Sequence, residues 1–156
     1  MVSNQFGQQT LSVADARILA VPTGKGIPPV VAPPPPTDLD HYKCYAASGP
    51  TLVNVLANLK DQFTSENVTV LRPVIFCNPV RKSHNGVATG ILHPNIHLTC
   101  YTTSTSAFPG IAINIRNQFG VFNALGVRQP DLLCVPSLKL TWSVVTGTTP
   151  DGTAQP

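Results

Sequence analysis

Short apolar runs bounded by turn-forming residues recur along this chain, and each has the length of a strand. They predict strands at 9–13, 17–21, 53–59, 68–70, 73–77 and 141–145. Residues 83–94 form a predicted loop in which Asn85-Gly86 supplies the turn. No apolar run approaches the roughly 20 residues that a membrane-spanning helix needs, so membrane insertion is not expected. The pattern therefore indicates an all-β fold.

The predicted strands belong to an internal repeat, which outranks other sequence signals. A series of Asn or Asp, Gln, Phe, Val, two large apolar residues, Cys or Ala, Pro and Lys occurs over 4–25, 61–82 and 117–139. A Cys-Tyr strand precedes the second and third copies. The chain therefore holds two complete units of about 42 residues, at 41–82 and 97–139, whereas the N-terminal copy lacks its opening strand.

The missing opening strand has a candidate at the other end of the chain. Residues 140–145, Leu-Thr-Trp-Ser-Val-Val, resemble residues 98–103, Leu-Thr-Cys-Tyr-Thr-Thr. This match predicts a third unit that is split between the two termini. In that unit Trp142 and Ala20 replace the opening and closing cysteines, so both cysteines are absent together.

Composition narrows the class of protein. Charged residues make up 11% of the chain and hydrophobic residues 42%, whereas a typical soluble domain has about 25% charged residues. A surface of neutral polar residues repels copies of itself poorly, which suits a protein that assembles or that lies outside the cell. The net charge of +3 is scattered rather than clustered with aromatic residues, so nucleic-acid binding is not expected.

Four cysteines, Cys44, Cys77, Cys100 and Cys134, occupy equivalent positions in the two complete units. Three disulfide connectivities are open. The joint loss of both cysteines in the split unit favours pairing within a unit, Cys44 with Cys77 and Cys100 with Cys134. Buried free thiols are the alternative; a zinc site is disfavoured because the spacing lacks Cys-x2-Cys. Disulfides indicate an extracellular or cell-surface location, although residues 1–4 do not resemble a signal peptide.

The chain is predicted to have four parts. Residues 1–25 form a β-hairpin arm, residues 26–37 a proline-rich linker, residues 38–146 the duplicated β domain and residues 147–156 a flexible tail. We expect the linker to be a polyproline II spacer of about 35 Å, with a ligand for a proline-binding domain as the alternative. The expected body is a disulfide-stapled β-sandwich or barrel. A stiff arm would carry the hairpin away from its own domain.

No catalytic chemistry is indicated. The histidines and carboxylates form no catalytic pair, and there is no phosphate loop or nucleophile elbow. Turn formation explains the repeated Asn4, Asp61 and Asn117 without catalysis. We therefore expect neither an enzyme nor a cofactor or metal site. Asn67 begins a glycosylation sequon, which has meaning only in a suitable compartment.

The series Cys-Tyr, Asp/Asn-Gln-Phe and Cys-x-Pro over residues 39–139 resembles a domain of unknown function. That domain recurs, often in tandem, in large secreted or surface proteins of bacteria. The resemblance implies an extracellular, β-rich, disulfide-bonded module and supplies no catalytic residues. Residues 4–25 resemble the tail of a preceding copy that departs from the pattern at Ala20.

These observations predict a secreted structural subunit that forms a homopolymer. The N-terminal hairpin would complete the sheet of an adjacent subunit, giving a head-to-tail filament by strand donation. The predicted interface residues are Phe6, Leu11, Val13, Ile18, Leu19, Ala20, Val21, Trp142 and Val144. The alternative is a monomeric surface-binding or adhesion module, with a protein ligand or a glycan that would stack on Tyr45, Tyr101 and Trp142.

Overall fold

A computed structural model describes residues 1–49, 52–104 and 107–143. These residues form thirteen strands and no helix, which confirms the predicted all-β fold. The strands are β1 (Val2–Asn4), β2 (Gly7–Gln9), β3 (Ser12–Ala20), β4 (Gly24–Gly26), β5 (His41–Ser48), β6 (Val55–Lys60), β7 (Ser65–Val80), β8 (Lys82–His84), β9 (Val87–Thr89), β10 (His97–Thr103), β11 (Ile111–Asn117), β12 (Gly120–Val127) and β13 (Leu132–Lys139).

The main sheet follows the repeat. Its order is β2-β1-β13-β10-β7-β5-β3, and β6 adds to β7. In each complete unit the opening strand pairs with its own closing strand, β5 with β7 and β10 with β13. Two closing strands also pair with the opening strand of the next unit, β3 with β5 and β7 with β10, whereas the other neighbour of β13 is β1. Within the described residues the sheet ends at β2 and β3 and does not close into a barrel.

Alternation of side chains along the strands separates two clusters of buried residues. On one face, Cys44, Cys77 and Cys100 pack with Ile75. On the other face Tyr101, adjacent to Cys100 in the chain, packs with Val70 and Val135 and is covered by Phe6, Val53, Ala57 and Leu133. The turn between β1 and β2, which carries Phe6, and the segment around β6, which carries Val53 and Ala57, therefore cover the second face. This second layer gives the domain a sandwich-like cross-section.

The N-terminal segment lies on its own chain, which corrects the expectation of an arm held away from the body. Strand β1 pairs with the end of β13, β3 pairs with β5, and β4 pairs with β11. The segment thus contributes strands to both edges of the main sheet and to the sheet of β11 and β12, and it does not form one projecting hairpin. The physical reason is that its apolar strands find equivalent partners within the repeat.

The proline-rich linker folds back instead of extending, so the prediction of a stiff spacer is wrong. A turn closes between the Val30 N–H and the Ile27 carbonyl at 2.9 Å. The Asn114 side chain donates to the Val30 carbonyl at 2.9 Å, and Ala32 is buried. Prolines lack N–H donors but leave neighbouring carbonyls free to accept bonds, and β11 supplies the donor.

Some strand boundaries differ from the predictions. The predicted strands at 68–70 and 73–77 are one continuous strand, β7, and 9–13 and 17–21 are replaced by β2 and β3. The Asn85-Gly86 turn is confirmed, with φ of 50° and 76°, and it joins the short strands β8 and β9 within the predicted loop. Residues 141–143 lie outside any strand, and residues 144–156, including the predicted tail, lie outside the described residues.

Candidate assembly site

The Asn/Asp-Gln-Phe motif forms the same turn in all three copies. The side-chain oxygens of Asn4, Asp61 and Asn117 each accept a bond from the N–H of the phenylalanine two residues later, at 2.9, 2.7 and 2.9 Å. These are Asx turns, which supports the interpretation that the position is structural. Bonds from the N–H groups of Phe63 and Thr64 hold the pKa of Asp61 below its ordinary value.

The first of these turns docks on the covered face of the sheet. Asn4 Nδ2 donates to the Tyr101 hydroxyl at 2.8 Å and to Ser137 Oγ at 3.0 Å. The Phe6 ring meets the Tyr101 ring edge to face, with centroids 5.2 Å apart. The Tyr101 hydroxyl donates to Gln9 at 3.3 Å. Burial raises the pKa of Tyr101, although its two amide partners act in the opposite direction.

The third turn repeats this docking above β3 and β4. Ile115 pairs with Lys25 as Val2 pairs with Lys139. Asn117 Nδ2 reaches the hydroxyl of Thr23 at 3.5 Å, the counterpart of the bond from the first turn to the end of β13. The hairpin β11–β12 is therefore positioned over the end of β3 as β1–β2 is positioned over the end of β13.

Two further contacts anchor the third turn. Gln118 Oε1 accepts a bond from Lys82 Nζ and lies 3.2 Å from His41 Nε2. Lys25, the counterpart of Lys82, lies over the Phe63 ring at 4.7 Å from its centroid. The repeated lysines thus join the end of one closing strand to the turn of the next copy.

Strand β3 is the incomplete part of the repeat. Within the described residues it pairs with β5 alone, which is the opening strand of the next unit, whereas β7 and β13 each pair with the opening strand of their own unit. Its side chains are largely exposed, with Val13, Ile18 and Leu19 at 46%, 47% and 49%. An edge of this length, carrying unpaired N–H and C=O groups, is a template for another strand.

The C-terminal segment that resembles an opening strand lies at the other side of the sheet. The Leu140 N–H donates to the Met1 carbonyl at 3.0 Å, and the Met1 amino group donates to the Thr141 carbonyl at 2.7 Å. Trp142 follows with 67% of its surface exposed. Strands β5, β7 and β10 separate this segment from Ala20 on β3.

The structure divides the predicted interface residues into three groups. Phe6 and Leu11 are partly buried, Phe6 against Tyr101 of its own chain, and so are Ala20 and Val21. Val13, Ile18, Leu19 and Trp142 are exposed, and Val144 lies outside the described residues. The predictions missed Phe119, which is 59% exposed; the signal that could have found it is the phenylalanine repeated in every copy.

The predicted disulfide pairing is confirmed. Cys44 bonds Cys77 and Cys100 bonds Cys134, each between directly opposed residues of paired strands. Ala20 lies at the position equivalent to the closing cysteines and packs against the disulfide cluster. The two bonds therefore staple each opening strand to its own closing strand.

The buried carboxylate of Asp40 holds a loop of the main domain in place. This carboxylate accepts bonds from the N–H groups of Leu92 and His93 at 2.6 and 2.8 Å, and it lies 3.1 Å from His93 Nδ1. These hydrogen bonds fix the loop before β10. Among the described residues no three histidine, cysteine or carboxylate side chains cluster as a metal site. The described part of the chain also contains no helix that is long and apolar enough to cross a bilayer.

Fold and site together define a disulfide-bonded, all-β module built from internal repeats. The chain belongs to the family described as Repeat of unknown function (DUF7450), whose profile matches residues 1–136. The match confirms the resemblance to an uncharacterised repeat domain and extends it over the N-terminal copy. No curated protein and no solved structure matches the chain.

Proposed function

We propose that this protein is an extracellular structural subunit that assembles head to tail through its main sheet. The observation that carries the proposal is the open edge of β3. Closing strands β7 and β13 each pair with the opening strand of their own unit, whereas within the described residues β3 pairs only with β5, the opening strand of the next unit. A neighbour that supplies this strand completes the repeat.

The donor is residues 140–145 of a second copy. This segment resembles an opening strand and follows the last closing strand, and its tryptophan is exposed. Backbone hydrogen bonds along the β3 edge supply affinity, and the alternating side chains supply selectivity. The alignment of the repeats predicts a register in which Trp142 lies opposite Ala20.

The distances favour pairing between chains over pairing within one chain. A strand beyond β3 lies five strand spacings from β13, which is about 24 Å across the sheet. Trp142 lies only three residues beyond Lys139, and an extended chain of that length spans about 10 Å. Because Leu140 and Thr141 also bond to Met1 beside β13, we infer that the segment pairs with the β3 of a neighbour rather than with its own.

The direction of donation differs from the sequence-based expectation. Residues 4–25 pair with their own chain, so they form the acceptor rather than the donor. The contact uses different surfaces on the two copies, and a heterologous contact of this kind propagates as a filament unless it closes into a ring. The disulfides are compatible with an extracellular location. The resemblance to repeats of secreted bacterial proteins also supports that location.

Sedimentation velocity and negative-stain microscopy of the non-reduced protein test this proposal across a range of concentrations. We expect the wild type to form concentration-dependent polymers. The variant Ile18→Lys should remain monomeric because it places a charge on the open edge, and truncation after Thr141 should do the same by removing the donor. Val87→Lys is the matched control, since Val87 is 68% exposed on the separate β8–β9 hairpin. A wild type that stays monomeric at every concentration refutes the proposal.

A monomeric binding or adhesion module is the second candidate. The observation in its favour is that β1, β3 and β4 all pair within the chain, so the described fold is complete without a partner. Tyr101 is fully buried, which leaves Tyr45 and Trp142 for a ligand such as a glycan. Glycan-array binding by a strictly monomeric protein would favour this candidate.

A further inference from the structure

The hairpin β11–β12 repeats the docking of β1–β2 except for one contact. Both turns bond a hydroxyl at the end of a closing strand. Phe6 of the first turn also packs edge to face on Tyr101, which belongs to the opening strand beside β13. Phe119 holds the matching place in the third turn and is 59% exposed, because within the described residues β3 has β5 beside it but no opening strand of its own unit.

The repeat also identifies the residue of β3 that lies beneath this ring. Tyr101 is directly opposite Leu133 in the pair of β10 and β13. The counterpart of Leu133 on β3 is Leu19, which is 49% exposed. Because Phe6 packs in one cluster with Leu133 and Val135, the repeat places Phe119 beside their counterparts Leu19 and Val21, and we call these three residues the aromatic recess. Phe119 would cover the residue of an incoming strand that lies opposite Leu19.

We propose that the aromatic recess of one copy receives Trp142 of the next copy. This inference rests on the proposed assembly and specifies its register. It shifts the incoming strand by one residue from the register that the alignment predicts. Trp142 then lies opposite Leu19, and Thr141 lies opposite Ala20.

Side-chain alternation distinguishes the two registers. A shift of one residue moves every side chain to the other face of the sheet. In the aligned register Ser143 lies beneath Phe119, and Trp142 projects on the disulfide face. In the shifted register Trp142, 67% exposed in the free chain, and Phe119 cover each other. The shifted register therefore reproduces the aromatic pair that the first hairpin makes with Tyr101.

Intermolecular cysteine trapping distinguishes the shifted register from the aligned register directly. One chain carries Thr141→Cys and is mixed with a chain that carries either Ala20→Cys or Val21→Cys. The four native cysteines are already paired. We expect a non-reducing gel to show the crosslinked dimer with Ala20→Cys, which faces Thr141 in the shifted register. Trapping with Val21→Cys alone would show the aligned register and overturn the inference, while it would leave the proposed assembly intact.

A double-mutant cycle on the dissociation constant provides an independent readout. Phe119→Ala and Trp142→Ala should each weaken assembly, and their effects should be non-additive by about 2- to 12-fold, as expected for an aromatic pair. Phe122→Ala is the matched control, because Phe122 lies on the same hairpin and is 46% exposed. Independent effects of Phe119→Ala and Trp142→Ala would overturn the inference. Absence of any assembly by the wild type would instead overturn the proposed function, and this inference with it.

Discussion

The three Asx turns provide an internal control for the docking of the N-terminal hairpin. We predict that Asn4→Ala destabilises the protein more than Asn117→Ala, and that Asp61→Ala has the smallest effect. The Asn4 side chain makes three hydrogen bonds, one within its turn and two to Tyr101 and Ser137. At about 1 kcal/mol each, their loss costs about 2–3 kcal/mol.

Alanine replacements at the other two positions should cost less folding stability. Asn117 makes one good turn bond and one long bond to Thr23, so its replacement should cost about 1 kcal/mol. Asp61 is fully exposed, and water replaces its two backbone bonds. Urea denaturation followed by tryptophan fluorescence and circular dichroism measures these differences. With an m-value of about 2 kcal/mol/M, the Asn4 variant should shift the midpoint by about 1 M.

One additional variant separates turn formation from docking. Asn4→Asp keeps the oxygen that accepts the turn bond and removes the two donors to the sheet. We expect it to be nearly as destabilised as Asn4→Ala. Equal losses of stability for Asn4→Ala and Asp61→Ala would refute the reasoning, because the turn alone would then account for the effect and the docked contacts would contribute nothing.

Three other predictions concern the disulfide between Cys100 and Cys134, the buried His97 and Gly24. Replacing Cys100 and Cys134 together by serine should cost about 3.8 kcal/mol on the chain-entropy model, given their separation of 34 residues; an unchanged urea midpoint would contradict it. Burial lowers the pKa of His97 below its ordinary value of 6.5, so the unfolded chain binds more protons below that pH and stability should fall there; His97→Phe should reduce this dependence in thermal melts recorded against pH. Gly24→Ala should lower the melting temperature, because its Cβ would lie against a proline carbonyl, whereas Gly90→Ala has open space and should not.

Much of the fold was predictable because equivalent positions in the copies of the repeat can be compared with one another. The disulfide pairing followed from the joint loss of two cysteines in one copy, and the structure confirms it. The turn role of Asn4, Asp61 and Asn117 followed from the short polar side chain at one repeated position. Both inferences depend on local chemistry, which follows directly from the residue types at the repeated positions.

The errors concerned where segments lie relative to one another. The linker was expected to extend because polyproline II is its local preference. Instead a turn between Ile27 and Val30 reverses the chain, and Asn114 of β11 donates a bond to the Val30 carbonyl. The exposure of Phe119 was also not predicted, because it depends on which strands lie beside β3, and within the described residues only β5 does.

The sequence by itself determined the strand class, the repeat, the turns and the cysteine pairs, because each depends on residues whose spacing is visible in the chain. Only the tertiary structure decided which copies pair and which edge stays open. Equivalent strands have similar sequences and could in principle pair in several orders. Packing of Phe6 and Tyr101 on one side, and pairing of β3 with β5 on the other, select a single order and leave one edge of β3 unpaired within the described residues.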